Sequence, residues 1–162
     1  MKYAGALISL LSVFALHPAA AATYKVTQTA PIVRITVPEN WKPHPSDETV
    51  DGLSPDEAVN FWVAVLASPD AAAAKADALA ALERNGLKID AASAEETPSR
   101  IGALSGVAAT YAASEDGKGS IVKIDILAIR NKRVLQIVRW GSPDAIAKHQ
   151  AALTSILATI KQ

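Results

Sequence analysis

Few residues of this chain have side chains suited to chemistry, and their spacing argues against most of it. The sequence contains no cysteine, which excludes thiol nucleophiles, Cys-ligated zinc and disulfides together. Beyond residue 22 the histidines are His44 and His149. His44 stands between Pro43 and Pro45, with no carboxylate or histidine at a ligand spacing. His149 falls near the apolar stripe of the last helical segment, between Ile146 and Leu153, and is expected to be a rim residue hydrogen-bonded to a neighbouring strand. A histidine metal site would need both to converge with carboxylates. The run Gly102–Gly106 resembles a nucleophile elbow, but Ser105 is fourth where that turn requires its nucleophile third. Gly119 splits Lys118 from Ser120, so this stretch reads as a hairpin turn and not as a phosphate loop.

Carboxylates are paired at Asp47-Glu48, Asp56-Glu57, Glu95-Glu96 and Glu115-Asp116. Acid–base catalysis needs one member of a pair desolvated. All four pairs lie in expected turns or loops, where water keeps both ionised. The aromatic residues remain. Phe61 and Trp62 are adjacent, so in a strand they point to opposite faces. If one face of the sheet is open, Trp62 or Trp140 lines a binding groove. These two are the candidate site residues; no catalytic residue, metal or cofactor is expected.

The elements that must position these residues are legible in the apolar pattern. Val33–Val37 alternates as a half-buried strand that Pro38 terminates, and Lys42–Asp47 reads as an irregular loop. Ser54–Glu57 is either a capping box opening a helix or a tight turn. The β-branched and aromatic run Phe61–Val65 favours the turn, and therefore a hairpin. Ser-Pro-Asp recurs at Ser68 and Ser142, a helix-start signal of capping hydroxyl, N1 proline and first-turn acid. The first such helix is expected over residues 70–85, with Ala72, Ala76, Leu79 and Leu82 inward and Gly86 as its stop. The second carries Ile146, Leu153, Ile156, Leu157 and Ile160 on one face. Between them come a short strand at Leu87–Ile89, a polar loop over Ser93–Arg100, and strands over 106–113, 121–130 and 134–140 joined by turns. The order predicts an α+β fold, an antiparallel sheet with helices packed on it.

The first 22 residues read as a secretory signal peptide: Lys2, an apolar core over Ala6–Leu16, and an exit at Ala19–Ala22. Cleavage fits after Ala22 or one residue earlier. The core is shorter than the roughly 20 residues a membrane span takes. Lys2 is the only charge in that segment, so the chain's 16 basic and 16 acidic residues become 15 against 16 from Thr23 onward. Such a balance excludes a basic face for nucleic acid or anionic lipid. The expected organisation is one domain over 23–162, periplasmic or secreted, without stable membrane insertion.

Several landmarks together resemble the PsbP-like fold family: Ile35–Trp41 opening the domain, the hairpin around Ser54–Asp56, a helix ending at Asn85-Gly86, Leu104–Val107 leading into the meander, and the terminal helix with Ile156 and Ile160. That family includes an extrinsic subunit of photosystem II, a yeast Ran-binding import factor and small bacterial envelope proteins. The resemblance implies an α/β/α sandwich with a central antiparallel sheet flanked by two main helices. It also implies a binding or assembly role without enzymatic activity, and it transfers no functional residue. The resulting expectation is an exported protein that binds an envelope protein partner or assists assembly. A small-ligand carrier with an apolar cavity between sheet and helix is the alternative. A hydrolase would need Ser105 or His149 in a pocket beside a carboxylate.

Overall fold

The computed structural model describes residues 20–27, 32–67 and 70–162. Most of the expected signal peptide lies outside these residues, but Ala21 and Ala22 begin the first strand. Strand β1 (Ala21–Lys25) pairs antiparallel with β2 (Arg34–Pro38) as a separate ribbon. A larger sheet of eight strands runs in the order β3 (His44–Pro45), β4 (Thr49–Leu53), β5 (Val59–Leu66), β10 (Arg133–Gly141), β9 (Lys118–Ile129), β8 (Leu104–Glu115), β6 (Lys88–Ile89), with β7 (Glu95–Ile101) also paired to β8. Every pairing among the described residues is antiparallel. Helix α1 (Ala71–Arg84) covers one face, and helix α2 (Pro143–Ala158) covers the other together with the ribbon. This is the expected α/β/α sandwich.

Turn chemistry sets the register. Asp116 and Gly117 both have positive φ between β8 and β9, as do Asn131 and Lys132 between β9 and β10. Between β8 and β9 this gives a two-residue turn whose twist matches the strands, whereas the β9–β10 connection has three residues, 130–132, between the paired Ile129 and Arg133. Ser54–Ala58 is a turn between β4 and β5, which settles the alternative in favour of the hairpin. Ser142 caps α2 by accepting from the Ala145 N–H at 3.2 Å. The cap of α1 is Asp70, which accepts from Ala72 and Ala73. Its expected partners in the motif, Ser68 and Pro69, lie outside the described residues. Gly86, at φ 94°, stops the helix as its type allows.

Three expectations fail for physical reasons. The inward face of α1 is Ala74, Ala78 and Leu82, while Ala72 and Ala76 are exposed. A helix built largely of alanine offers many equivalent stripes, and tertiary bonds choose between them: Gln136 of β10 donates to the Ala74 carbonyl at 2.7 Å. Most of the expected Ser93–Arg100 loop, from Glu95 onward, belongs to the edge strand β7. Its composition is polar because it is largely exposed, and Pro98 is tolerated there because an edge strand leaves one side of its ladder unpaired. The short β3 likewise interrupts the expected Lys42–Asp47 loop.

Strand alternation splits the core in two. Val122, Ile124, Ile126 and Val138 pack with α1, while Phe61, Val63, Leu127, Leu135 and Ile137 pack with α2 and the ribbon. Phe61 and Trp62 accordingly serve opposite faces.

Candidate functional site

The α2 face of the sheet carries charge in its interior. Along β9, Lys123 and Asp125 alternate with the apolar residues that face α1. Along β10, Arg139 lies opposite Lys123, and Asp125 lies opposite Ile137. Arg139 reaches diagonally and donates from Nη2 to Asp125 Oδ2. Asp125 is 2% exposed and Arg139 8%. Ser99, brought over from β7, donates to the other carboxylate oxygen at 2.5 Å. Both oxygens of the buried acid are thus hydrogen-bonded, which a buried charge requires. Around this group the sheet and α2 part to leave an open cleft of about 400 Å³, lined by Ser99, Lys123, Asp125 and Arg139 below and by Thr154 and Leu157 of α2 above. A smaller hollow of about 90 Å³ shares Lys123 and Arg139 and extends toward Ile146 and Gln150.

None of these residues was a sequence candidate. The signal was present: Asp125 and Arg139 are charged residues inside strands whose neighbours are apolar. What links them is strand register and a helix at the far end of the chain, which local patterning does not reveal.

Trp62 and Trp140 come together on the opposite face, edge to face at 5.4 Å, partly buried against the α1 cluster. Trp62 Nε1 donates to Gln136 Oε1 at 2.8 Å, so the Gln136 side chain links the indole to α1. Neither tryptophan lines the cleft beneath α2.

His149 has a carboxylate partner after all, and the partner lies in the β4–β5 turn, not on a strand. Its Nε2 is 2.9 and 3.0 Å from the two oxygens of Asp56, and its ring stands edge-on to Trp41 at 5.6 Å. Lys148 and Ser54 also donate to Asp56, each at 2.6 Å. These bonds, Lys148 foremost, then Ser54 and His149, hold the Asp56 carboxyl far below the usual carboxylate range. An ionised carboxylate only accepts, so Nε2 carries the ring hydrogen toward it. Serine, aspartate and histidine meet here, but not in the order nucleophilic catalysis needs. Ser54 is fully buried, gives its hydrogen to Asp56, and accepts from the N–H groups of Ala58 and Val59 at 3.1 and 3.0 Å. The arrangement clamps α2 to the hairpin. Asp56 is exposed, as expected of the carboxylate pairs, but it is bonded by three side chains, while exposed Glu57 and Glu96 pair with Lys42 and Lys75.

A pH dependence follows from the clamp. Because Asp56 is more acidic folded than unfolded, its stabilisation is present above the unfolded pKa of about 4 and is lost as pH falls below it. Asp56→Asn should lower stability at neutral pH and flatten the loss between about pH 4 and pH 2, as read by urea denaturation across pH. An acid limb equally steep in the variant would remove Asp56 from this role.

His44 lies on the short β3, exposed, 3.9 Å from an oxygen of Asp51. Among the described residues no three His, Asp or Glu side chains are arranged to hold a metal ion, and no helix is long and apolar enough to cross a membrane.

With this geometry in view, the fold is PsbP-like. The solution structure of cyanobacterial PsbP from Synechocystis sp. PCC 6803 superposes with a TM-score of 0.51 at 8% identity, covering 94% of this chain and 98% of that one. A crystal structure from Bacteroides thetaiotaomicron gives 0.52 at 17% identity over 80% of this chain, which spans only 44% of that protein. LpqN of Mycobacterium tuberculosis, described as involved in cell envelope biogenesis, gives 0.49 at 16% identity, covering 88% of this chain and 92% of that one. No sequence-family profile and no curated protein sequence matches the chain. At these identities the likeness establishes architecture alone, and function has to be argued from the site.

Proposed function

We propose that the protein is exported and acts outside the cytoplasm as a non-catalytic envelope binding protein, engaging a protein partner through the cleft beneath α2. The observation that carries this reading is the cleft itself: open to solvent, with a floor fixed by the Ser99–Asp125–Arg139 network and walls partly apolar. Rigidly held polar groups in a concave site present a defined surface to a partner side chain without reorganisation on binding. The signal-like first 22 residues supply the compartment.

The test is site-specific photo-crosslinking of the full chain in its native host. A photoreactive residue at Thr154, exposed at the cleft, should yield a discrete protein adduct. The same residue at Ala72, exposed on α1, should not. No adduct from Thr154, or the same adducts from both positions, overturns the reading. Small-ligand carriage is the second reading, favoured by the cleft's volume, which falls within the range of small-molecule sites. The charged floor replaces the apolar cavity expected for a carrier.

A further inference from the structure

The floor of the cleft has a charge balance that its internal bonds leave incomplete. Arg139 gives Nη2 to Asp125, but its Nε is buried and has no hydrogen-bond partner among the described residues. Lys123, directly opposite Arg139 on the next strand, lines the same cleft and takes part in no ion pair among the described residues. Two cations against one buried carboxylate leave one positive charge uncompensated at the floor. A third cation, Arg100, stands exposed at the margin, its Nε donating to the Gly102 carbonyl at 3.3 Å. A buried guanidinium N–H without an acceptor is destabilising, and the Arg139 side chain, 10% exposed, still lines the cleft.

Resting on the reading of this cleft as the working surface, we infer that it is a binding site for a carboxylate, held by Lys123 and the Arg139 guanidinium while Asp125 and Ser99 keep the guanidinium oriented. The charge count selects the class. A carboxylate is a planar monoanion that accepts from a guanidinium along its edge and neutralises one positive charge. A phosphate near neutral pH brings additional negative charge close to Asp125, which is already ionised against Arg139. The walls define the rest of the ligand. Ile101, Ala108, Leu157 and Ala158 flank the floor and offer an apolar surface next to the charge. The occupant therefore has a carboxylate at one end and a compact apolar body behind it. A small organic acid meets this description, and so does the C-terminus of a peptide ending in an apolar residue.

The experiment follows the Arg139 Nε–H resonance in full-length protein labelled with ¹⁵N-arginine, assigned by its loss in the Asp125→Leu/Arg139→Met double variant. The probes, at matched ionic strength, are benzoate against benzamide, a short peptide ending in phenylalanine with free or amidated terminus, and inorganic phosphate. Saturable shifts with benzoate, with the free peptide or with both support the site and identify which source it takes. The amides should leave the resonance unmoved. Lys123→Met, which keeps the apolar stem and removes the charge, should weaken carboxylate binding at least about tenfold, the effect of losing one charge-assisted bond. Equal shifts by acid and amide, a shift by phosphate alone, no saturable shift from any probe, or an unchanged affinity in Lys123→Met would each overturn the inference. Its failure is separable from that of the parent reading. A Thr154 adduct with indifferent acid and amide discards the carboxylate and keeps the binding surface; carboxylate binding without an adduct does the reverse.

Discussion

Arg139→Met should lower the free energy of unfolding by about 3–5 kcal/mol, whereas the Asp125→Leu/Arg139→Met double variant should match or exceed the parent. The single change strands the Asp125 carboxylate, 2% exposed, with only the Ser99 hydroxyl for company. An ionised acid in that position has lost its counter-charge and cannot regain its hydration, so the penalty is the desolvation of a charge and not the worth of one hydrogen bond. The double change removes that penalty and puts apolar volume beside Leu127 and Ile137, which already pack on this face. Urea denaturation of parent, single and double variants reads both effects. A single variant within about 1 kcal/mol of the parent would place the pair in contact with water, as exposed pairs behave.

Phe61→Ala should cost about 3–5 kcal/mol, the range for emptying a large aromatic site in a packed core. Phe61 is 1% exposed and meets Trp41 edge to face at 5.8 Å. Opposite it on β4 is Gly52, and the ring lies over this residue so closely that a Cβ there would stand 2.7 Å from Phe61 Cε1 and 2.8 Å from the Trp41 carbonyl. The glycine thus gives up its own volume to the phenylalanine, and removing the ring leaves a cavity there. Trp41 loses its support on that side, and Trp41 is the surface against which His149 stands. Near-UV circular dichroism should therefore lose tryptophan signal in the folded variant as the denaturation midpoint falls. A loss of stability under about 1.5 kcal/mol would show that the core closes over the site.

These two variants probe residues of unequal legibility. Phe61 was readable: an aromatic within a β-branched run, with a partner on the other face, belongs to a buried strand. The Ser142 cap of α2 and the short turns were readable for the same reason, because their chemistry is local, whereas α1 is capped by Asp70 in place of the serine of its motif. Arg139 was not, since its environment depends on β9 lying beside β10 in one register and on Ser99 arriving from an edge strand. The His149–Asp56 contact joins residues 93 apart in sequence, and nothing near either one announces the other. Strand β7 escaped because exposure at a sheet edge permits the polar, proline-containing composition that otherwise marks a loop. Alanine hid the inward face of α1, since a methyl group commits a helix to no orientation.

Pro98 has a consequence for how other molecules can attach. Strand β7 is the longest margin of the large sheet, while the other margins, β3 and β6, have two residues each. An uninterrupted margin invites a foreign strand to continue the ladder through main-chain bonds, a mode of capture largely indifferent to sequence. A proline at the middle of β7 has no N–H to offer, and Pro45 ends β3 on the far side. With both flanks blunted, accidental polymerisation is discouraged, and whatever docks must be chosen by its side chains or its charge.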